Sequence, residues 1–368
     1  MPWNWELQDW PKFHCDVNAI SQMERKFLLG VGSAFAFLKT LGKQDYHPFI
    51  VEILSLEGLN SSRIEGEFLD RESLQSSIRK HFGLKTSTKK EANKESKMAD
   101  LILSVYETFD QPLTHEMLFQ WHSLLFNDQS HIEDRGRYRT HNEPMQIVSN
   151  RYGSTRVFFE APPSAKVLDE MTAFINWFNQ ASDSVSILGR AAISHIYFES
   201  IHPFEDGNGR IGRILVEKVL SQGVGQSILI AVSKILEVRK KEYYAELEKC
   251  NRTLHIQDWL GFFAEVILQA QEESIALLYF LIEKSKMLTA LSGSINLRQE
   301  KVLLRIFEEG PSGFEGGLSA ENYIAITKTS KATATRDLND LVQKGALLKT
   351  GELRHTRYWL NKSERKEQ

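Results

Sequence analysis

The stretch His202-Pro203-Phe204-Glu205-Asp206-Gly207-Asn208-Gly209-Arg210-Ile211-Gly212-Arg213 crowds a base, a carboxylate, a glycine-flanked turn and two arginines into one short run. Upstream, Ala192, Ile193, Ile196, Tyr197 and Ile201 recur at helical intervals, the pattern of a buried helix that delivers His202 at its C-terminal end. Pro203 stops that helix, because the residue before a proline is pushed out of the helical region. Downstream, Ile211, Ile214, Leu215, Val219 and Leu220 renew the period, so a second helix starts near Gly209. Between the two, Gly207-Asn208-Gly209 permits close backbone approach, and the first turn of the second helix presents unpaired N–H groups with a partial positive charge. A phosphate fits there. Arg210 and Arg213 share one helix face and suit a polyphosphate better than a single carboxylate. Asp206 stands where a carboxylate would hold a Mg²⁺ bridging two phosphates, and His202 is set to take a proton from an incoming hydroxyl.

Each of these residues alone has an ordinary reading as a cap, a turn or a solvated face; their convergence is what argues for a site. Two other motifs compete for the same residues. Gly207 to Gly212 satisfies G-x-G-x-x-G, but the dinucleotide fingerprint follows a strand, and here a helix and a proline precede it. His195, His202 and Asp206 offer metal-ligand chemistry, yet the two histidines lack the i, i+4 spacing of a helical metal pair.

The run resembles, position for position, the H-x-F-x-[DE]-G-N-G-R-x-x-R signature of Fic-domain proteins. The resemblance implies transfer of AMP from ATP to a Tyr, Ser or Thr hydroxyl of a target protein and, as a side activity, of the protein itself. It implies His202 as general base, Phe204 as a buried anchor, Asp206 as Mg²⁺ ligand, Gly207, Asn208 and Gly209 as an anion hole, and Arg210 and Arg213 as phosphate contacts. It also implies a homodimer.

Composition sets the frame. Hydrophobic content of 42% with 25% charged residues is that of an ordinary globular chain, long enough at 368 residues for two or three domains, and excludes a disordered tail. A net charge of −3 gives no whole-chain case for nucleic acid or an anionic membrane. The absence of a long apolar run or a basic, apolar leader leads to the expectation of a cytoplasmic protein with no membrane partner. Cys15 and Cys250, far apart and outside any Cys/His cluster, are expected as free thiols.

Three tryptophans, Trp3, Trp5 and Trp10, with Pro11 and Phe13 mark an N-terminal segment that is costly to expose and should pack back on the main body. The W-x-W and Trp-Pro pattern resembles a segment found on one group of Fic proteins. Ile53, Leu54, Leu56, Leu59 and Ile64 predict a helix over about 50–66, ended by Gly66. Ser61 and Glu65 share a face of it, and Ser61-x-x-x-Glu65-Gly66 resembles the [ST]-x-x-x-E-[GN] inhibitory motif that accompanies many Fic domains. By that resemblance Glu65 pairs with Arg213, occupies the fork meant for the γ-phosphate, and inhibits the enzyme in cis.

Helices are expected over Met98–Phe109 and Thr114–Phe126, and Ser87–Lys97 as an exposed polar run. Gln146-Ile147-Val148 and Val157-Phe158-Phe159 around a turn at Asn150–Ser154 predict a hairpin closed by Pro162-Pro163. In Fic proteins a G-x-Y-R segment, here Gly136 to Arg139, and such a flap precede the motif, and the flap holds the target's backbone. Arg239–Asn251 reads as a helix bearing Tyr243, Tyr244 and Asn251, and the resemblance puts Tyr244 and Asn251 at the nucleotide.

The expected organisation is therefore mainly α: an N-terminal helical region over 1–100, a Fic helical core with a β-hairpin flap over 101–290, and a C-terminal domain over 291–368. Helices over Arg298–Phe307, Leu318–Ile326 and Lys331–Lys344, then a hairpin about Gly351, resemble a winged helix-turn-helix. Lys328, Lys331, Arg336, Lys344, Lys349, Arg354 and Arg357 would give it a basic face for DNA; dimerisation or target docking is the alternative. Two rival functions stand beside transfer: a DNA-binding regulator whose core senses nucleotide, and removal of AMP by the same site with Glu65 positioning a water.

Overall fold

A computed structural model describes residues 1–39, 42–85, 93–126, 132–149, 156–180, 186–310 and 313–361. The turn at Asn150–Ser154 lies outside them, as does the first half of the polar run Ser87–Lys97. The chain is mainly helical and divides into two compact units, Met1–Thr40 with Ile50–Ser274, and Leu41–Phe49 with Ile275–Gln368.

In the first unit two helices carry the central run, α7 (Ile187–Ile201) and α8 (Asn208–Val224). The apolar period predicted for both is what buries them: Ala192, Ile196, Ile201, Ile211, Leu215 and Val219 are at most 1% exposed. Around them lie α1 (Ser21–Leu38), α2 (Lys43–Ile64), α3 (Arg71–His81), α4 (Asn93–Thr108), α5 (His115–Phe126), α6 (Ser164–Gln180), α9 (Val232–Val238), α10 (Lys240–Cys250) and the first part of α11 (Gln257–Leu291). The apolar run Ser227–Ala231 forms no regular element; it is a buried link into α9.

The predicted hairpin is β1 (Gln146–Ser149) paired antiparallel with β2 (Arg156–Glu160), Ile147 opposite Phe159 and Val148 opposite Val157, with a register shift between them. It forms a two-stranded sheet, so β1 keeps an edge that no other described strand covers. The N-terminal tryptophans pack as expected. The Trp3 ring meets Phe159 at 5.5 Å, Trp5 Nε1 donates to the Glu160 carbonyl at 2.7 Å, and Trp10 Nε1 donates to Glu170 at 2.8 Å.

The second unit holds α12 (Leu297–Glu308), α13 (Ala320–Thr327), α14 (Lys331–Gln343) and a hairpin of β3 (Leu347–Thr350) and β4 (Arg357–Leu360). Val302, Leu303, Ile306, Tyr323, Leu338 and Leu341 fill its core. Asp337, buried within it, accepts hydrogen bonds from Arg298 Nε and Tyr323 Oη, both at 2.9 Å. Among the described residues no helix is long and apolar enough to cross a membrane.

Candidate active site

The turn between α7 and α8 is set by backbone geometry. His202 caps α7 in the left-handed region (φ 50°, ψ 60°), and Gly207 caps α8 in the same region (φ 83°) without a side-chain cap. A non-glycine residue there needs support from its surroundings. Arg139 supplies it. Its Nε donates to the His202 carbonyl at 2.9 Å, its Nη1 to Ser164 Oγ at 2.9 Å and its Nη2 to the Pro162 carbonyl at 2.5 Å. This buried guanidinium is held by carbonyls and a hydroxyl; burial lowers its pKa to about 10. Asn208 closes the turn from the other side: its Oδ1 accepts from Phe204 N at 2.9 Å and its Nδ2 donates to the Phe204 carbonyl at 2.7 Å. Its side chain is thereby anchored in the turn, with its backbone N–H in the first turn of α8 left to face an anion. Phe204 is fully buried, stacked on His122 at 4.3 Å.

His202 and the start of α8 open into one cleft of about 640 Å³, whose other walls include Glu65, Phe158, Arg213, Tyr243, Tyr244 and Asn251. Burial, with the charge of Arg139 adding to it, lowers the His202 pKa to about 4. The imidazole is therefore neutral at physiological pH, the state a general base requires. Its Nδ1 is buried, has no hydrogen-bond partner among the described residues and lies 3.7 Å from Glu199 Oε2.

Arg213 is 2% exposed. Its Nη2 donates to Glu65 Oε1 at 2.7 Å and to the Ser61 carbonyl at 2.8 Å, and its Nε donates to Ser61 Oγ at 3.0 Å. Partial burial pushes the Glu65 carboxyl up, but the charges of Arg213 and Arg210 and the hydrogen bond from Arg213 hold it below the usual carboxylate range. The structure thus brings together both residues of the predicted inhibitory motif and the second arginine of the signature. Arg210 is held by a residue that sequence reasoning passed over: its Nη1 meets Glu67 Oε2 at 2.8 Å, while Lys94 meets the other Glu67 oxygen at 3.0 Å.

Asp206 is half-exposed at the cleft mouth, its Oδ1 accepting from Gly207 N at 2.6 Å. No cluster of three metal-ligating side chains exists among the described residues. A single carboxylate beside a helix N-terminus nevertheless fits a Mg²⁺ that arrives with phosphates and waters as its other ligands. Tyr244, 43% exposed, lines the cleft and donates to the Ile64 carbonyl at 3.3 Å. Asn251 Nδ2 donates to the Phe158 carbonyl at 3.0 Å, which ties α10 to β2. Tyr243 is buried against His195, 2.8 Å from its Nε2. Two residues at the centre of this geometry, Arg139 and Glu199, carried no individual signal: Arg139 was only part of G-x-Y-R, and Glu199 sat in an apolar helix with no motif of its own.

The Fic/DOC family model matches residues 112–220, a span that contains α7, the signature turn and most of α8. Residues 112–220 are thus a Fic/DOC domain. A second model, described as a domain of unknown function (DUF4172), matches residues 3–84. Among curated relatives, a protein adenylyltransferase Fic of Nematostella vectensis is 32% identical over 33% of this chain and 27% of its own length. A protein adenylyltransferase of Caenorhabditis elegans is 28% identical over 28% of this chain and 20% of its own. The matched part is thus about a quarter or less of each relative. A Fic family protein from Desulfovibrio desulfuricans aligns over 93% of this chain and 97% of its own with a TM-score of 0.53 at 19% identity. A Fic domain-containing signalling protein from Bacteroides thetaiotaomicron covers 70% of this chain and 95% of its own, with a TM-score of 0.51 at 21% identity. These two likenesses concern the fold of the Fic domain and its surroundings.

Proposed function

We propose that the protein is an adenylyltransferase that moves AMP from ATP to a hydroxyl side chain of a target protein and of itself, and that Glu65 restrains it in cis. The observation that carries this reading is the single cleft into which a neutral His202, the uncapped N-terminus of α8 and Arg213 all open. The triphosphate would lie over the first turn of α8, where backbone N–H groups and helix polarity favour anions, with Arg210 and Arg213 on its outer phosphates. Tyr244 and Asn251 would face the nucleoside. Asp206 would hold a Mg²⁺ that neutralises phosphate charge. His202 Nε2 takes the proton as the target oxygen bonds to the α-phosphorus, the α–β bridging bond breaks, and pyrophosphate leaves. The uncovered edge of β1, with Ile147 and Val148 each 43% exposed, would receive the target segment as an added strand.

In the resting protein Glu65 holds the Arg213 fork that the γ-phosphate needs. Incubation with labelled ATP and Mg²⁺, followed by intact-mass analysis, tests the whole reading. Labelling by AMP should rise in Glu65→Gly and vanish in Glu65→Gly/His202→Ala; an unlabelled Glu65→Gly protein that still binds ATP refutes transfer.

A second activity of the same chain concerns α14, which exposes Lys331, Thr335, Arg336 and Asn339 on one side. Both its carboxylates are tied elsewhere, Asp337 to Arg298 and Asp340 to Lys344. That face suits duplex DNA. Salt-dependent retention by duplex DNA, weakened in Lys331→Ala/Arg336→Ala, is the expected result; no retention at low salt refutes it.

A further inference from the structure

α7 carries three ionisable side chains in register, His195, Glu199 and His202. In each a buried polar atom has no hydrogen-bond partner among the described residues: His195 Nδ1, Glu199 Oε1 and His202 Nδ1. Unpaired buried polar atoms are costly, and their concentration in one place calls for a reason. The helix α8 makes room for them, since a Cβ on Gly212 would stand 2.6 Å from Glu199 Oε1 and 3.3 Å from His195 Nδ1. His195 is already engaged through Nε2 with Tyr243. That leaves Glu199 and His202, 3.7 Å apart with side chains 11% and 12% exposed, just beyond hydrogen-bond distance.

Resting on the reading of His202 as the base, we infer that Glu199 is its positioning residue: the Glu199 carboxylate accepts the Nδ1 proton of His202, which leaves Nε2 bare toward the cleft. A neutral imidazole has one N–H, and only the tautomer with that proton on Nδ1 can accept a hydroxyl proton at Nε2. In the transfer step the hydroxyl proton goes to Nε2, the Nδ1 proton stays donated to Glu199, and the resulting imidazolium is balanced by the carboxylate.

The inhibitory residue reaches this pair. Burial pushes Glu199 up to about 8, with Arg213 pulling it down and Glu65 adding to the rise. Glu65 is one of the charges that favour the protonated form of Glu199, whose O–H would donate to Nδ1 and favour the unproductive tautomer. Withdrawal of Glu65 removes that negative neighbour and favours the ionised carboxylate. The groups that face the pair are Arg213 from α8, Glu65 beyond the end of α2, Tyr243 and Tyr244 from α10, His195 on α7 and Arg139 ahead of β1.

Two readouts test the inference. In the Glu65→Gly background the transfer rate should rise with pH as Glu199 ionises; adding Glu199→Gln should flatten that limb and lower kcat about tenfold, with KM for ATP held within roughly twofold. The second readout needs no activity. In full-length protein labelled with ¹⁵N-histidine and free of nucleotide, the His202 signal, assigned by its loss in His202→Ala, should move toward the Nδ1–H tautomer between about pH 6 and pH 9. In Glu199→Gln it should not move. A His202 signal that stays fixed in the wild type overturns the inference, as does an unchanged pH profile in the Glu199→Gln variant. If no variant transfers AMP, the transferase reading fails, while the imidazole titration still decides the pair.

Discussion

Arg139 does at the scale of one residue what the signature motif cannot do for itself. The motif dictates a histidine between a helix and a proline, but the left-handed conformation of His202 has to be held from outside, and the donors of Arg139 hold its carbonyl and that of Pro162. Arg139→Met keeps the apolar stem and removes those donors. Because misplacement of a base by about 1 Å costs about 100-fold, kcat for AMP transfer in the Glu65→Gly background should fall by that order while KM for ATP changes little. Steady-state kinetics on the purified variant check the split, and an equal rise in KM would count against a positioning role. The pH behaviour of His202 follows from its surroundings too. With a pKa lowered to about 4, its protonation should not cut the rate until the pH nears 4, well below the ordinary imidazole range; a half-loss near pH 6.5 attributable to His202 would contradict this. Neither Arg139 nor Glu199 was legible as a site residue: Arg139 supports a turn 63 residues away in sequence, and Glu199, though only three residues before His202, sits in an apolar helix with no motif of its own. By contrast, Ser61, Glu65 and Arg213 were legible as a set, since a short motif fixes which faces they share.

The end of α2 is an element whose contacts all restrain the same place. The Ser62 carbonyl accepts from both Glu65 N and Glu67 N at 3.0 Å, which folds the chain so that two carboxylates point at α8. Glu65 takes Arg213 and Glu67 takes Arg210. Lys240 Nζ and Tyr244 Oη hold the Ile64 carbonyl between them, at 2.5 and 3.3 Å. Glu67 is less buried than the arginine it meets, so its pair is worth about 1 kcal/mol, roughly fivefold in an equilibrium. Glu67→Ala should therefore raise AMP transfer about fivefold, less than Glu65→Gly, and the two together should exceed either alone. Intact-mass time courses of the three variants check this, and a Glu67→Ala protein slower than wild type would mean that Glu67 orients Arg210 for catalysis. The helix itself was readable from its apolar spacing. The polar helix α3 was not read at all, because a run rich in Ser, Arg and Gln shows little apolar period even though Leu74 and Ile78 are fully buried. The link Ser227–Ala231 is hard to assign for the opposite reason: an unbroken apolar run has no face.

For the molecule as a whole, the expected border at 290/291 lies beside the turn-forming Ser292-Gly293-Ser294, and contacts group the chain into two units that meet in sequence between Ser274 and Ile275. A border inside α11 carries no glycine or proline to mark it, and α2 likewise contributes residues to both units. Two units mean that one melting temperature would not describe the protein. Of the seven tryptophans, Trp359 alone falls in the second unit, so indole fluorescence follows the first. Glu65→Gly leaves one donor of a buried guanidinium unpaired, a cost of about 2 kcal/mol, and the fluorescence transition should drop by a few degrees. MgATP should reverse this, because its phosphates replace the lost carboxylate; at 100 times Kd a ligand adds about 2.7 kcal/mol to the state it binds. In the wild type the same nucleotide has to displace Glu65 or leave its outer phosphate unpaired, so its stabilising effect should be smaller. Melting curves of both proteins with and without MgATP decide the matter, and an equal or larger shift in the wild type would mean that Glu65 and the nucleotide do not compete for Arg213.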